Sequence, residues 1–126
     1  MVKENDVKIL VVDDSKAMRA VIKRALSRLD RVAGATIIEA ADGKEALRVA
    51  QAESPDLVLS DWNMPEMTGI EFLQALNEAG LTPMFGFVTS ESTPEMRELA
   101  KAHGARFLVS KPFTPASLDE ALAKAL

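Results

Sequence analysis

The sequence predicts an α/β protein in which five strands alternate with five helices, the strands forming one parallel sheet that is doubly wound, with helices on both faces. Three observations predict it. Short, mostly apolar runs recur along the chain, as in strands buried on both faces of a parallel sheet. Between them, apolar residues recur at the three- and four-residue spacing of helices with one buried stripe. Signals for helix starts follow the strand-like runs closely.

The first run, Lys8 to Val12, is β-branched and ends at Asp13 and Asp14. A helix follows from Ser15, with Met18, Val21, Ile22, Ala25, Leu26 and Leu29 as its expected buried stripe. Asp30 to Gly34 is expected to be a loop, and Ala35 to Ala40 the second strand. Asp42, with Glu45 three residues on, caps the second helix, which ends before Pro55 because the residue preceding proline avoids helical geometry. Leu57 to Ser60 is the third strand and ends on Asp61. A turn-rich loop containing Asn63, Pro65 and Gly69 leads to a third helix to Ala79, with Thr68 and Glu71 at capping-box spacing and Ile70, Leu73 and Leu76 inward. Met84 to Val88 is the fourth strand, weakened by Gly86. Thr93-Pro94 starts a fourth helix striped by Met96, Leu99 and Ala100. Phe107 to Val109 is the fifth strand, and Thr114-Pro115 opens a helix lined by Leu118, Ala121, Leu122 and Ala125. Right-handed crossovers leave few arrangements, of which 2-1-3-4-5 is a common doubly wound order for five units.

Composition narrows the function. One domain, 1–126, is expected, with no room for a second, output domain. Fifteen basic and nineteen acidic residues give a net charge of -4, which argues against nucleic acid as the main partner. Without cysteine there is no disulfide, thiolate metal site or cysteine catalysis, and the single histidine, His103, rules out a histidine-rich metal site. The stretch 1–6 is too polar for a signal peptide, and no apolar run approaches the roughly 20 residues of a membrane span. A cytoplasmic monomer without membrane insertion is expected.

In the order 2-1-3-4-5 the first and third strands are neighbours, so Asp13, Asp14 and Asp61 meet at their carboxyl ends, where ligands of open α/β sheets bind. Three close carboxylates repel one another, and a divalent cation relieves them. Magnesium suits such a set, with the backbone carbonyl of Asn63 completing the protein's share of ligands. Thr89 and Ser90 follow the fourth strand, and Lys111 the fifth. A hydroxyl that can donate to a phosphoryl oxygen, an ammonium, a metal and a nucleophilic carboxylate together make a site for a transferring phosphoryl group. Each feature alone has an ordinary explanation: a helix start for Asp13 and Asp14, a turn for Asp61, surface chemistry for Lys111. Their coincidence at one sheet edge does not.

These residues resemble the receiver domains of two-component response regulators, over essentially the whole chain. The matching stretches are Val12-Asp13-Asp14-Ser15, Glu39 to Gly43, Asp61 to Pro65 with Thr68-Gly69, Thr89-Ser90-Glu91 and Lys111-Pro112-Phe113. Asp61 to Pro65, Glu91 and the absence of an output domain are most similar to the stand-alone chemotaxis regulators. The resemblance implies a flavodoxin-like fold and a role for each residue. Asp61 accepts a phosphoryl group from a histidine kinase. Asp14, Asp61 and the Asn63 carbonyl hold Mg2+ directly, and Asp13 does so largely through water. Thr89 and Lys111 bind the phosphoryl group, and Asn63 and Glu91 tune its hydrolysis. A cis Lys111-Pro112 bond is implied, as is signalling through the face of the fourth helix, fifth strand and fifth helix to a flagellar motor component or phosphotransfer protein.

One position departs from the family, which has Tyr or Phe three residues before the lysine, where this chain has Leu108. Phe107 points to the opposite face unless the strand is bulged. That puts the usual relay from Thr89 in question. The alternatives are a phosphorelay receiver, a constitutive binding module and a Mg2+-dependent phosphatase. The phosphatase needs a general acid where Asn63 stands. A flavin module is disfavoured because Asp13 and Asp14 would repel its phosphate.

Overall fold

A computed structural model describes residues 7–125; the polar stretch 1–6 considered above lies outside them. In chain order the elements are β1 (Lys8–Val12), α1 (Lys16–Ser27), β2 (Thr36–Ala40), α2 (Gly43–Glu53), β3 (Leu57–Ser60), α3 (Gly69–Glu78), β4 (Met84–Thr89), α4 (Pro94–Ala102), β5 (Phe107–Ser110) and α5 (Pro115–Ala125). The segment expected to be a plain loop after α1 contains one 3-10 turn, Asp30–Val32, whose Val32 is buried. All strand pairs are parallel, in the order β2-β1-β3-β4-β5.

Alternation along the strands divides the core in two. Ile9, Val11, Leu57, Leu59, Val88 and Val109 pack under α1 and α5. Leu10, Val12, Val58, Phe85 and Phe87 pack under α2 and α3, with Phe72 and Trp62. In this second layer Phe72 meets Phe85 at 5.8 Å between ring centroids, Phe85 meets Phe87 at 5.0 Å, and Phe87 meets Trp62 at 4.7 Å. The aromatic chain thus runs from the core to the residue beside Asp61.

Helix starts are fixed by side-chain caps. Ser15, Asp42 and Thr93 accept from the backbone N–H of Met18, Glu45 and Met96. Thr68 and Glu71 form a reciprocal capping box, and Thr114 and Ser117 exchange bonds in the same way. Each such cap contributes about 1 kcal/mol. Since each helix follows a strand, the caps line the carboxyl edge of the sheet and hold its loops short.

Two expected stripe residues point outward. Val21 is 50% exposed and Leu99 41%. Val21 lies on the flank of the α1 stripe, beside an open groove of about 500 Å³ between α1 and the start of α5. Helix α4 lies toward the sheet edge, so only Ala100 of its stripe is fully covered and Met96 is half-buried. In α3, Phe72 is the buried residue that periodicity overlooked, while Ile70 is half-buried.

Candidate functional site

The site begins with backbone register. The Asp61 N–H donates to Val12 O at 2.9 Å, and the Asp13 N–H to Ala40 O at 3.2 Å, extending the β1–β3 and β1–β2 ladders to the two acids. The Lys111 N–H donates to Thr89 O at 2.8 Å, doing the same between β4 and β5. Gly69 closes the loop after Asp61. Its N–H donates to Trp62 O at 2.7 Å, and a Cβ there would collide with the Asp61 carbonyl oxygen and Trp62 Cα. Only glycine permits that approach.

One carboxylate oxygen from each of Asp13, Asp14 and Asp61 lies within 4.8 Å of the others. Asp13 is 1% exposed and Asp61 9%, whereas Asp14 faces solvent. Lys111 Nζ donates to Asp13 Oδ2 at 2.8 Å and to Asp61 Oδ2 at 3.1 Å. The protein's own ammonium therefore relieves part of the repulsion that the sequence alone assigned to a metal. Burial by itself pushes the Lys111 ammonium down, but its hydrogen bond to Asp13 and the charges of Asp61 and Asp13 outweigh it and hold the group above the ordinary lysine value. The remaining oxygens are also engaged: Asp13 Oδ1 accepts from Ser15 N–H at 2.8 Å and Asp61 Oδ1 from Trp62 N–H at 2.7 Å. Among the described residues Asp14 alone of the three has no hydrogen-bond or ion-pair partner. This donor set, carboxylate oxygens with one uncommitted and solvent-facing, fits a hard cation such as Mg2+.

Thr89 is fully buried at the end of β4, and its hydroxyl accepts from Glu91 N–H at 3.4 Å. Asn63 Nδ2 donates to Glu91 Oε1 at 3.4 Å, so these two exposed residues bridge the rim of the cleft. The Lys111-Pro112 bond is cis.

A model of the response regulator receiver domain matches residues 9–123. The chain belongs to that family. It is 39% identical to the chemotaxis protein CheY1 of Helicobacter pylori over 119 residues, covering 91% of this chain and 93% of the relative. It is 32% identical to a probable chemotaxis protein CheY of Rhizobium etli, covering 92% and 89%. Among solved structures, CheY4 of Vibrio cholerae superposes with a TM-score of 0.85 at 37% identity, covering 96% of this chain and 99% of that one.

In β5, Leu108 stands where the resemblance implied an aromatic residue. Pairing of Gly86 with Phe107 and Phe87 with Leu108 is regular, without a bulge. Leu108 packs toward α2 and α3, and Phe107 toward the opposite layer. The Phe107 ring fills the space that a Cβ on Gly86 would need, so it is committed to the α1–α5 side.

Sequence reading missed Arg19. Its Nη1 donates to the Asp13 carbonyl at 2.6 Å and its Nε to Glu39 Oε1 at 2.9 Å, while Lys23 holds Glu39 Oε2 at 3.0 Å. The bonds from Lys23 and then Arg19 keep the Glu39 carboxyl below its ordinary range. The available signal was positional: Arg19 stands one helical turn after Ser15, on the turn that faces the acids.

Proposed function

We propose that this receiver domain is a phosphorylation switch in which Asp61 captures a phosphoryl group from a histidine kinase. An Asp61 oxygen attacks phosphorus, the bond from phosphorus to the donor histidine nitrogen breaks, and an acyl phosphate forms on Asp61. Asp14, Asp61 and the Asn63 carbonyl, with Asp13 behind them, would hold Mg2+, which would supply charge neutralisation for the phosphoryl oxygens when bound. Lys111 stabilises the same charge, Thr89 donates its hydroxyl to a phosphoryl oxygen, and Asn63 and Glu91 control access of water. The observation that carries the reading is the Lys111 ammonium shared between Asp13 and Asp61 at the carboxyl ends of adjacent strands. Likeness to chemotaxis CheY proteins supports chemotaxis as the setting, with a flagellar motor component or phosphotransfer protein as the target.

With Mg2+ and a small acyl-phosphate donor, intact-mass measurement is expected to show one added phosphoryl group, and none on Asp61→Asn. Equal labelling of both proteins refutes the assignment. The constitutive binding module gains a specific argument from Leu108 in place of the usual aromatic residue. Equal affinity of a partner for the phosphorylated and unphosphorylated forms would select it.

A further inference from the structure

Asp14 is the acid whose placement has no visible support from its own side chain. It is exposed and unpartnered among the described residues, yet one of its oxygens stands within 4.8 Å of oxygens on Asp13 and Asp61. Its direction is therefore set by the backbone, and first by the peptide plane joining Asp13 to Asp14. That plane carries the Asp13 carbonyl, which Arg19 Nη1 grips at 2.6 Å. The Arg19 side chain is only 13% exposed and is itself clamped through Nε to Glu39. Glu39 sits on β2 opposite Val11 and is held on its other oxygen by Lys23. A chain of contacts thus runs from the sheet through Glu39 and Arg19 to the peptide that aims Asp14.

We propose that Arg19 is a positioning residue for cation binding: by fixing the Asp13–Asp14 peptide it holds Asp14 in ligating geometry. The inference rests on the Mg2+ site proposed above. Outer groups that orient ligands commonly matter for affinity nearly as much as the ligands do. The guanidinium suits the task because its rigid fork presents Nε and Nη1 in two directions at once, which a single ammonium cannot do.

Positioning and simple electrostatics predict opposite signs. Arg19 is a positive charge beside a cation site, so on Coulomb grounds Arg19→Ala should bind Mg2+ more tightly and Arg19→Lys should leave affinity unchanged. Positioning predicts that both bind more weakly, Arg19→Ala by about tenfold and Arg19→Lys by less. The test is calorimetric titration of MgCl2 into wild type and both variants at constant ionic strength, with thermal unfolding of each to establish that it folds. If Arg19→Ala fails to fold, Arg19→Lys decides alone. A folded variant that binds as tightly as wild type, or more tightly, overturns the positioning role. Wild type that binds no Mg2+ overturns the metal site itself, a separate outcome.

Discussion

Lys111 forms two ion pairs with carboxylates that are themselves almost fully buried. Removing it leaves Asp13 and Asp61 facing each other without a neutralising charge, each keeping only its backbone N–H partner. Hydrogen bonds to charged groups each contribute about 1.5–3 kcal/mol. Lys111→Met is therefore expected to lower unfolding free energy by about 2 kcal/mol in the presence of a chelator, measured by urea denaturation. Saturating Mg2+ should restore more stability to the variant than it adds to wild type, because the divalent ion takes over the neutralising role. The pH dependence has a definite sign. The folded state raises the Lys111 value, so its contribution is fully present below the unfolded value of about 10.4 and is lost as pH rises through the folded value. The gap between wild type and Lys111→Met should stay open at neutral pH and close only in strong alkali.

Among the elements, the β4–β5 pair shows how one residue's absence of a side chain fixes its neighbour. Gly86 weakens a strand by propensity, but the Phe107 ring occupies the space above it. Gly86→Ala must displace that ring and is expected to cost about 1–3 kcal/mol of stability. Combined with Phe107→Leu, which vacates part of the space, the penalty should shrink, giving a coupling of at least about 0.5 kcal/mol in a double-mutant cycle. Strictly additive losses would show that the ring does not depend on Gly86. The same pairing keeps Phe107 out of the layer that holds Leu108. Thr89 consequently has no aromatic neighbour on its own face of β5.

For the whole molecule, the site lies where two core layers and the carboxyl edge of the sheet meet. A ligand that binds only the folded chain stabilises all of it by mass action, about 2.7 kcal/mol at one hundred times its dissociation constant. Mg2+ at that excess is expected to raise the unfolding midpoint by several degrees, with Asp14→Asn reducing the rise sharply. A midpoint indifferent to Mg2+ in wild type would contradict the proposed site. Among the described residues no helix is long and apolar enough to cross a membrane.

Alternating apolar runs, helical stripes and capping residues are local in the chain, which is why the sequence by itself determined the elements, their boundaries at β3 and the caps at Asp42, Thr68 and Thr93. Each depends on residues within a turn or two of each other. It also determined that Asp13, Asp14, Asp61 and Lys111 fall just beyond strands, while Thr89, expected just past the fourth strand, is its last residue. What only the tertiary structure decided are the pairings between distant segments: Lys111 shared by two acids, Arg19 on the Asp13 carbonyl, Phe107 over Gly86, and Val21 and Leu99 left outside the core. Periodicity says which side of a helix is apolar, but coverage depends on where the neighbouring element ends. An ion pair spanning 98 residues is set by strand order and register, which no local window contains.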